Sequence, residues 1–102
     1  MKLDTPEERF RKHCGPDVTF VSDNVRGGII EIRYTIKGNP SIRLITMRPE
    51  SGTVPSFMRA VELIAACALD DAYKGTGGYL RDLEEAQRMM GQRTTDIAAG
   101  RQ

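Results

Sequence analysis

Residues 29–37 read Ile29-Ile30-Glu31-Ile32-Arg33-Tyr34-Thr35-Ile36-Lys37. From Ile30 onward the even positions are apolar and the odd ones polar, the period-two pattern of a strand with one dry and one wet face. Two turn signals bracket it. Arg26-Gly27-Gly28 precedes it and Gly38-Asn39-Pro40 follows, and a Gly-Gly pair accepts the positive φ that a tight hairpin needs. Working outward, Val18–Val21, continuing to Val25, predicts the strand before the first turn. Ile42–Met47 predicts the strand after the second. Connections this short favour an antiparallel meander of three strands.

Helices flank the strands. Thr5 is a good N-cap, Pro6 suits the first helical position and Glu8 completes a Thr-x-x-Glu capping box. Glu7 and Glu8 face the positive end of that helix dipole, and Arg11, Lys12 and His13 its negative end. Gly15-Pro16 ends it, and Phe10 and Cys14 are its apolar anchors. A long helix is expected from Pro55 to Tyr73 behind the cap Thr53. Its apolar stripe runs Phe57, Val61, Ile64, Ala65, Ala68, Leu69, Ala72 and is widened by Met58, Leu63, Ala66 and Cys67. A stripe that wide calls for cover on two sides, by the sheet and by a last helix or a partner. Lys74-Gly75-Thr76-Gly77-Gly78 breaks the helix, and Tyr79–Met90 predicts another, with Gly91 as its stop. The expected architecture is α+β, a small two-layer domain in the order α-β-β-β-α-α. Residues 1–91 form the domain, and 92–102, poor in apolar groups, form a flexible tail.

Composition narrows the classes. At 102 residues there is room for one core. The apolar share of 39% and charged share of 28% are those of a globular chain rather than a disordered one. No apolar run reaches the ~20 residues of a membrane span, and Met1-Lys2-Leu3-Asp4 lacks a secretory leader's apolar stretch, so the expected address is the cytoplasm. Two cysteines, Cys14 and Cys67, do not make a disulfide framework, and free thiols serving as small core groups are expected.

Candidate chemistry is sparse. One histidine, His13, excludes histidine-rich metal sites. Its neighbour Cys14 is no catalytic partner, because adjacent helical residues point about 100° apart. Asp70-Asp71 and Glu84-Glu85 read as solvated helix faces. Gly75-Thr76-Gly77-Gly78 joins two helices and lacks the lysine of a phosphate-binding loop, so it reads as a hinge. No catalytic residue, cofactor or metal is expected.

Charge is unevenly spread. Residues 24–49 carry Arg26, Arg33, Lys37, Arg43 and Arg48 against Glu31, whereas residues 50–90 are net acidic. If odd positions face water throughout the sheet, Arg33, Lys37 and Arg43 share an outer face with Ile45 and Met47, flanked by Arg26 and Arg48 at strand ends. Arginine mixed with exposed apolar groups suits a binding patch.

The order helix, three strands, helix over residues 5–73, with Ala60, Ala65, Ala66, Ala68 and Leu69 in the second helix, resembles the double-stranded-RNA-binding domain. That resemblance implies a basic helix start gripping phosphates. Ser56, Phe57 and Met58 stand there, with Arg59 the one basic residue. The loop that would enter an RNA minor groove is reduced to Asn24-Val25-Arg26-Gly27.

Two functions are therefore expected in order. The first is a non-catalytic protein-binding module, an accessory, adaptor or inhibitor protein of a bacterium or phage, docking through Arg33, Lys37, Arg43, Ile45, Met47, Arg26 and Arg48. A homodimer joined through Met58, Leu63 and Met90 is one form of it. The alternative is nucleic-acid binding by the same basic face, disfavoured by a net charge of +1 and by Tyr34 pointing inward.

Overall fold

The computed structural model describes residues 4–98. Its elements are α1 (Pro6–His13), β1 (Val18–Arg26), β2 (Ile29–Ile36), β3 (Asn39–Met47), α2 (Val54–Tyr73), α3 (Leu80–Met89) and β4 (Met90–Ala98). The strands form one antiparallel sheet in the order β1-β2-β3-β4. The chain is α+β in two layers, as expected, but the sheet has four strands rather than three.

The local signals act as their chemistry dictates. Thr5 Oγ1 accepts from the Glu8 amide at 3.1 Å while the Glu8 carboxylate accepts from the Thr5 amide at 2.9 Å, closing the capping box. Thr53 caps α2 through the Ser56 amide. Gly27 and Gly28 both have positive φ, 58° and 79°, the backbone of a two-residue hairpin turn. Lys74 ends α2 in the left-handed region at φ 55°.

Register decides which side chains enter the core. Lys37-Gly38 is a two-residue loop, so Ile36 pairs with Asn39 and even positions of β2 oppose odd positions of β3. Ile30, Ile32 and Tyr34 thus share a face with Met47, Ile45 and Arg43. All four of the isoleucines and methionine named here, and Tyr34, are buried to within 1% exposure. This corrects the expectation that Ile45 and Met47 face water beside Arg33: an even-numbered loop swaps the parity of the strand that follows it.

Helix α2 covers that face. Ile64, Val61, Leu63 and Cys67 are fully buried, and Phe10 of α1 packs edge-on to Phe20 at 5.8 Å between ring centres. Ala60, Ala65, Ala66 and Ala68 are buried too, and residues this small let α1 and α3 approach α2 closely. The width of the α2 stripe is explained within the chain. Leu63 is fully buried, so it is not a surface residue that could meet a symmetry mate.

β4 has no apolar pattern to announce it. It is held by backbone pairing to β3, from Met47 opposite Met90 to Ser41 opposite Ala98, and by Arg93. That guanidinium donates to the Cys67 carbonyl at 3.2 Å and to the Asp71 carboxylate, reaching across to the C-terminal turn of α2. Residues 92–98 of the expected tail thus lie in a strand, and 99–102 lie outside the described residues.

Candidate functional site

The sheet separates two sets of arginines. On the helix side Arg9, Arg11, Arg43, Arg59 and Arg93 each have a carboxylate, whereas Arg81 and Arg88 of α3 have no ion pair among the described residues. Arg43 and Arg93 both pair with Asp71, which also accepts from the Tyr34 hydroxyl, and Arg93 lies 3.7 Å from Asp70 as well. Burial and the adjacent carboxylate raise the Tyr34 pKa, so its hydroxyl stays a donor. Further along, Arg59 of α2 bonds Asp82 at 2.8 Å and Glu85 at 2.7 Å on α3, and Glu62 at 3.0 Å on its own helix. Glu62 in turn takes Arg9 of α1 at 2.9 Å. These links tie three helices together. Asp71 and Glu85 are therefore paired groups rather than members of solvated faces, because the arginines that reach them come from distant parts of the chain.

Among the described residues no helix lies on the opposite face of the sheet. Arg33 pairs in register with Leu44 and Glu31 with Thr46, so these four side chains share the open face. Arg26 lies opposite Ile29 and Asn24 opposite Glu31, with Asn24 Nδ2 donating to Glu31 at 3.4 Å. Leu44 and Thr46 are the buried centre of this face, and Arg33 and Ile29 are half-buried beside them. Among the described residues the side chains of Arg26, Arg33 and Arg48 have neither an ion pair nor a hydrogen bond.

At one end of the open face lies a recess of about 490 Å³. Ile29 and Arg48 form one wall, Pro49 and Glu50 continue it, and Arg88, Met89 and Met90 at the α3–β4 corner close the other. The Arg48 amide donates to the Met89 carbonyl at 3.2 Å, pinning the end of β3 to the end of α3. Gly91 is required at this corner: a Cβ there would stand 2.8 Å from Thr46 Oγ1. Arg88 has no ion pair among the described residues and exerts only a longer-range pull on Glu85, helping to hold that carboxyl below its ordinary value after Arg59 has done most of it.

A smaller cavity of about 330 Å³ lies in the helical layer between His13, Glu62, Leu69, Tyr73, Tyr79 and Asp82. Its Glu62 is held by Arg9 and Arg59, and Tyr79 accepts from the Gly75 amide at 2.8 Å. The loop Gly75–Gly78 is thus fastened to Tyr79. Neither cysteine is poised for chemistry. Burial pushes the Cys14 thiol up to about 12 and Cys67 to about 11. Among the described residues no group of three or more His, Cys, Asp or Glu is placed to hold a metal ion, and no helix is long and apolar enough to cross a membrane.

The seven residues singled out from sequence divide cleanly. Arg26, Arg33 and Arg48 are on or at the end of the open face. Lys37 lies in the β2–β3 turn at the far end, where its amide donates to the Asp17 carbonyl at 2.8 Å. Arg43, Ile45 and Met47 are on the helix side. Arg88 and Met89 carry no sequence signal as site residues, and Met90 is expected only as a dimer contact, since a helix end adjoining an irregular strand start has no local signature. The chain matches no protein-family model, no curated protein and no solved structure.

Proposed function

We propose that this chain is a non-catalytic protein-binding module that docks through the open face of its sheet. One observation carries the reading: Arg43, Arg59 and Arg93 on the helix side are neutralised within the fold, whereas among the described residues Arg26, Arg33 and Arg48 on the open side have no counter-ion. Arginine is enriched at interfaces because its planar fork binds carboxylates while its stem packs on apolar groups. Leu44 at the centre of the face and Ile29 at its end supply such groups. Support for a non-catalytic role comes from buried thiols with raised pKa values and from carboxylates taken up in ion pairs.

The test is co-purification from native cells with wild type, with an Arg33→Glu, Arg48→Glu double variant, and with Arg81→Glu on exposed α3 as control. A protein retained by wild type and by the control, but lost with the double variant, is the expected result. Retention by all three overturns the proposal. Nucleic acid retained by wild type and stripped by salt would replace the protein with a polyanion, and a doubled mass would make the partner a second copy.

A further inference from the structure

We infer that the recess at the end of the open face receives an acidic side chain flanked by an aliphatic one, presented by an internal segment of a partner protein. This rests on the docking reading above and narrows it to a peptide chemistry. Two guanidiniums without ion pairs among the described residues, Arg48 and Arg88, line one cavity of about 490 Å³. They come from different elements, the end of β3 and the last turn of α3, yet the Arg48–Met89 backbone hydrogen bond holds those elements together. The backbone positions from which the two guanidiniums reach the recess are therefore set by the scaffold.

The rest of the lining selects the class of anion. Ile29, Pro49, Met89 and Met90 make an apolar floor, and methionine adapts its shape to irregular aliphatic groups. No aromatic ring lines the recess on which a nucleic-acid base could stack. Glu50 also lines it; its charge opposes every anion, a phosphate backbone more than a single carboxylate facing two guanidiniums, and it offers an acceptor to a peptide N–H. A volume in this range lies within that of ordinary ligand pockets and holds two or three side chains. A carboxylate gripped by guanidinium gains charge-assisted hydrogen bonds, and its neighbouring aliphatic group fills the methionine floor.

The experiment is an amide chemical-shift titration of the full chain with an acetylated, amidated seven-residue peptide alternating glutamate with leucine. Blocking both ends removes terminal charges, so a response belongs to side-chain carboxylates. The expected result is shifts at Arg48, Glu50 and Met89–Gly91. The glutamine version of the peptide should bind about tenfold more weakly, the loss of one charge-assisted contact. Arg48→Gln and Arg88→Gln should each weaken the glutamate peptide by a similar factor. Both side chains are exposed and bear no ion pair among the described residues, so the variants are expected to fold, as an unchanged urea midpoint would show. Equal binding of the glutamate and glutamine peptides, or no shift up to millimolar peptide, overturns the inference. Shifts confined to Arg33 and Leu44 also overturn it while leaving the open face as a docking surface; a free-carboxylate peptide binding where the blocked one does not would mean that the site captures chain ends instead.

Discussion

Arg43 and Arg33 are one strand apart and meet opposite fates. Arg43 shares the helix side of the sheet with Tyr34 and pairs with Asp71 at 3.8 Å, while Arg33 shares the open side with Leu44 and pairs with nothing among the described residues. The same contrast holds for Arg93 against Arg48. An arginine that is half-buried under a helix needs its counter-ion inside the fold, because an unpaired charge there is costly. One on the open face, with no helix laid over it, keeps enough contact with water to stay unpaired until a partner arrives. The lesson is that basic residues close in sequence belong to two separate jobs here, fastening and docking.

The sharpest way to break that division is through the core. Ile45→Ala should cost about 2–4 kcal/mol by opening a cavity under α2, read as a fall in the urea midpoint. A change near zero would return Ile45 to the surface and dissolve the distinction between the faces. Next in size is Asp71→Ala, which leaves Arg43 and Arg93 facing each other without a counter-charge. The expected loss is about 2–3 kcal/mol, reduced from the fully buried case because Arg93 retains some access to water. Hydrogen exchange should show β4 losing protection before β1 and β2, since Arg93 is its tie to α2.

Alkaline titration probes the helix side further. Cys14 and Cys67 have pKa values raised by burial to about 12 and about 11, from an ordinary 9.0. A group whose pKa rises on folding favours the protonated, folded form. Its contribution is complete below pH 9 and is lost as pH climbs from there towards 11 and 12. The urea midpoint should hold steady from pH 7 to 8.5 and fall above pH 9, and a Cys14→Ala, Cys67→Ala variant should fall less steeply. The smallest effect belongs to the open face: Arg33→Gln and Arg48→Gln should each change stability by less than about 0.5 kcal/mol. A larger loss would mean that these side chains fasten the fold.

Much of the fold is legible in the chain because it is written in local chemistry. The Thr5–Glu8 capping box, the Gly27-Gly28 turn, the alternation from Ile30 to Ile36 and the Thr53 cap each act within a few residues. Two things are not local. The face of β3 depends on whether the Lys37-Gly38 loop has an odd or even length, and a shift of one residue sends Ile45, Met47 and Arg43 to the other side. β4 owes its place to backbone pairing and to Arg93 reaching Cys67 and Asp71, 26 and 22 residues earlier in the chain. No hydrophobic period could reveal it. The site was half visible for the same reason: Arg26, Arg33 and Arg48 were found from charge, but Arg88 and Met89 join them only through the corner between α3 and β4.

The measurement that bears most directly on the division of labour is site-specific photo-cross-linking in native cells, with the reactive residue at position 33 on the open face or at position 81 on exposed α3. A protein adduct formed from position 33 and absent from position 81 is the predicted result. Adducts from position 81 alone, or nucleic acid captured at position 33, would contradict the assignment of the open face to a protein partner.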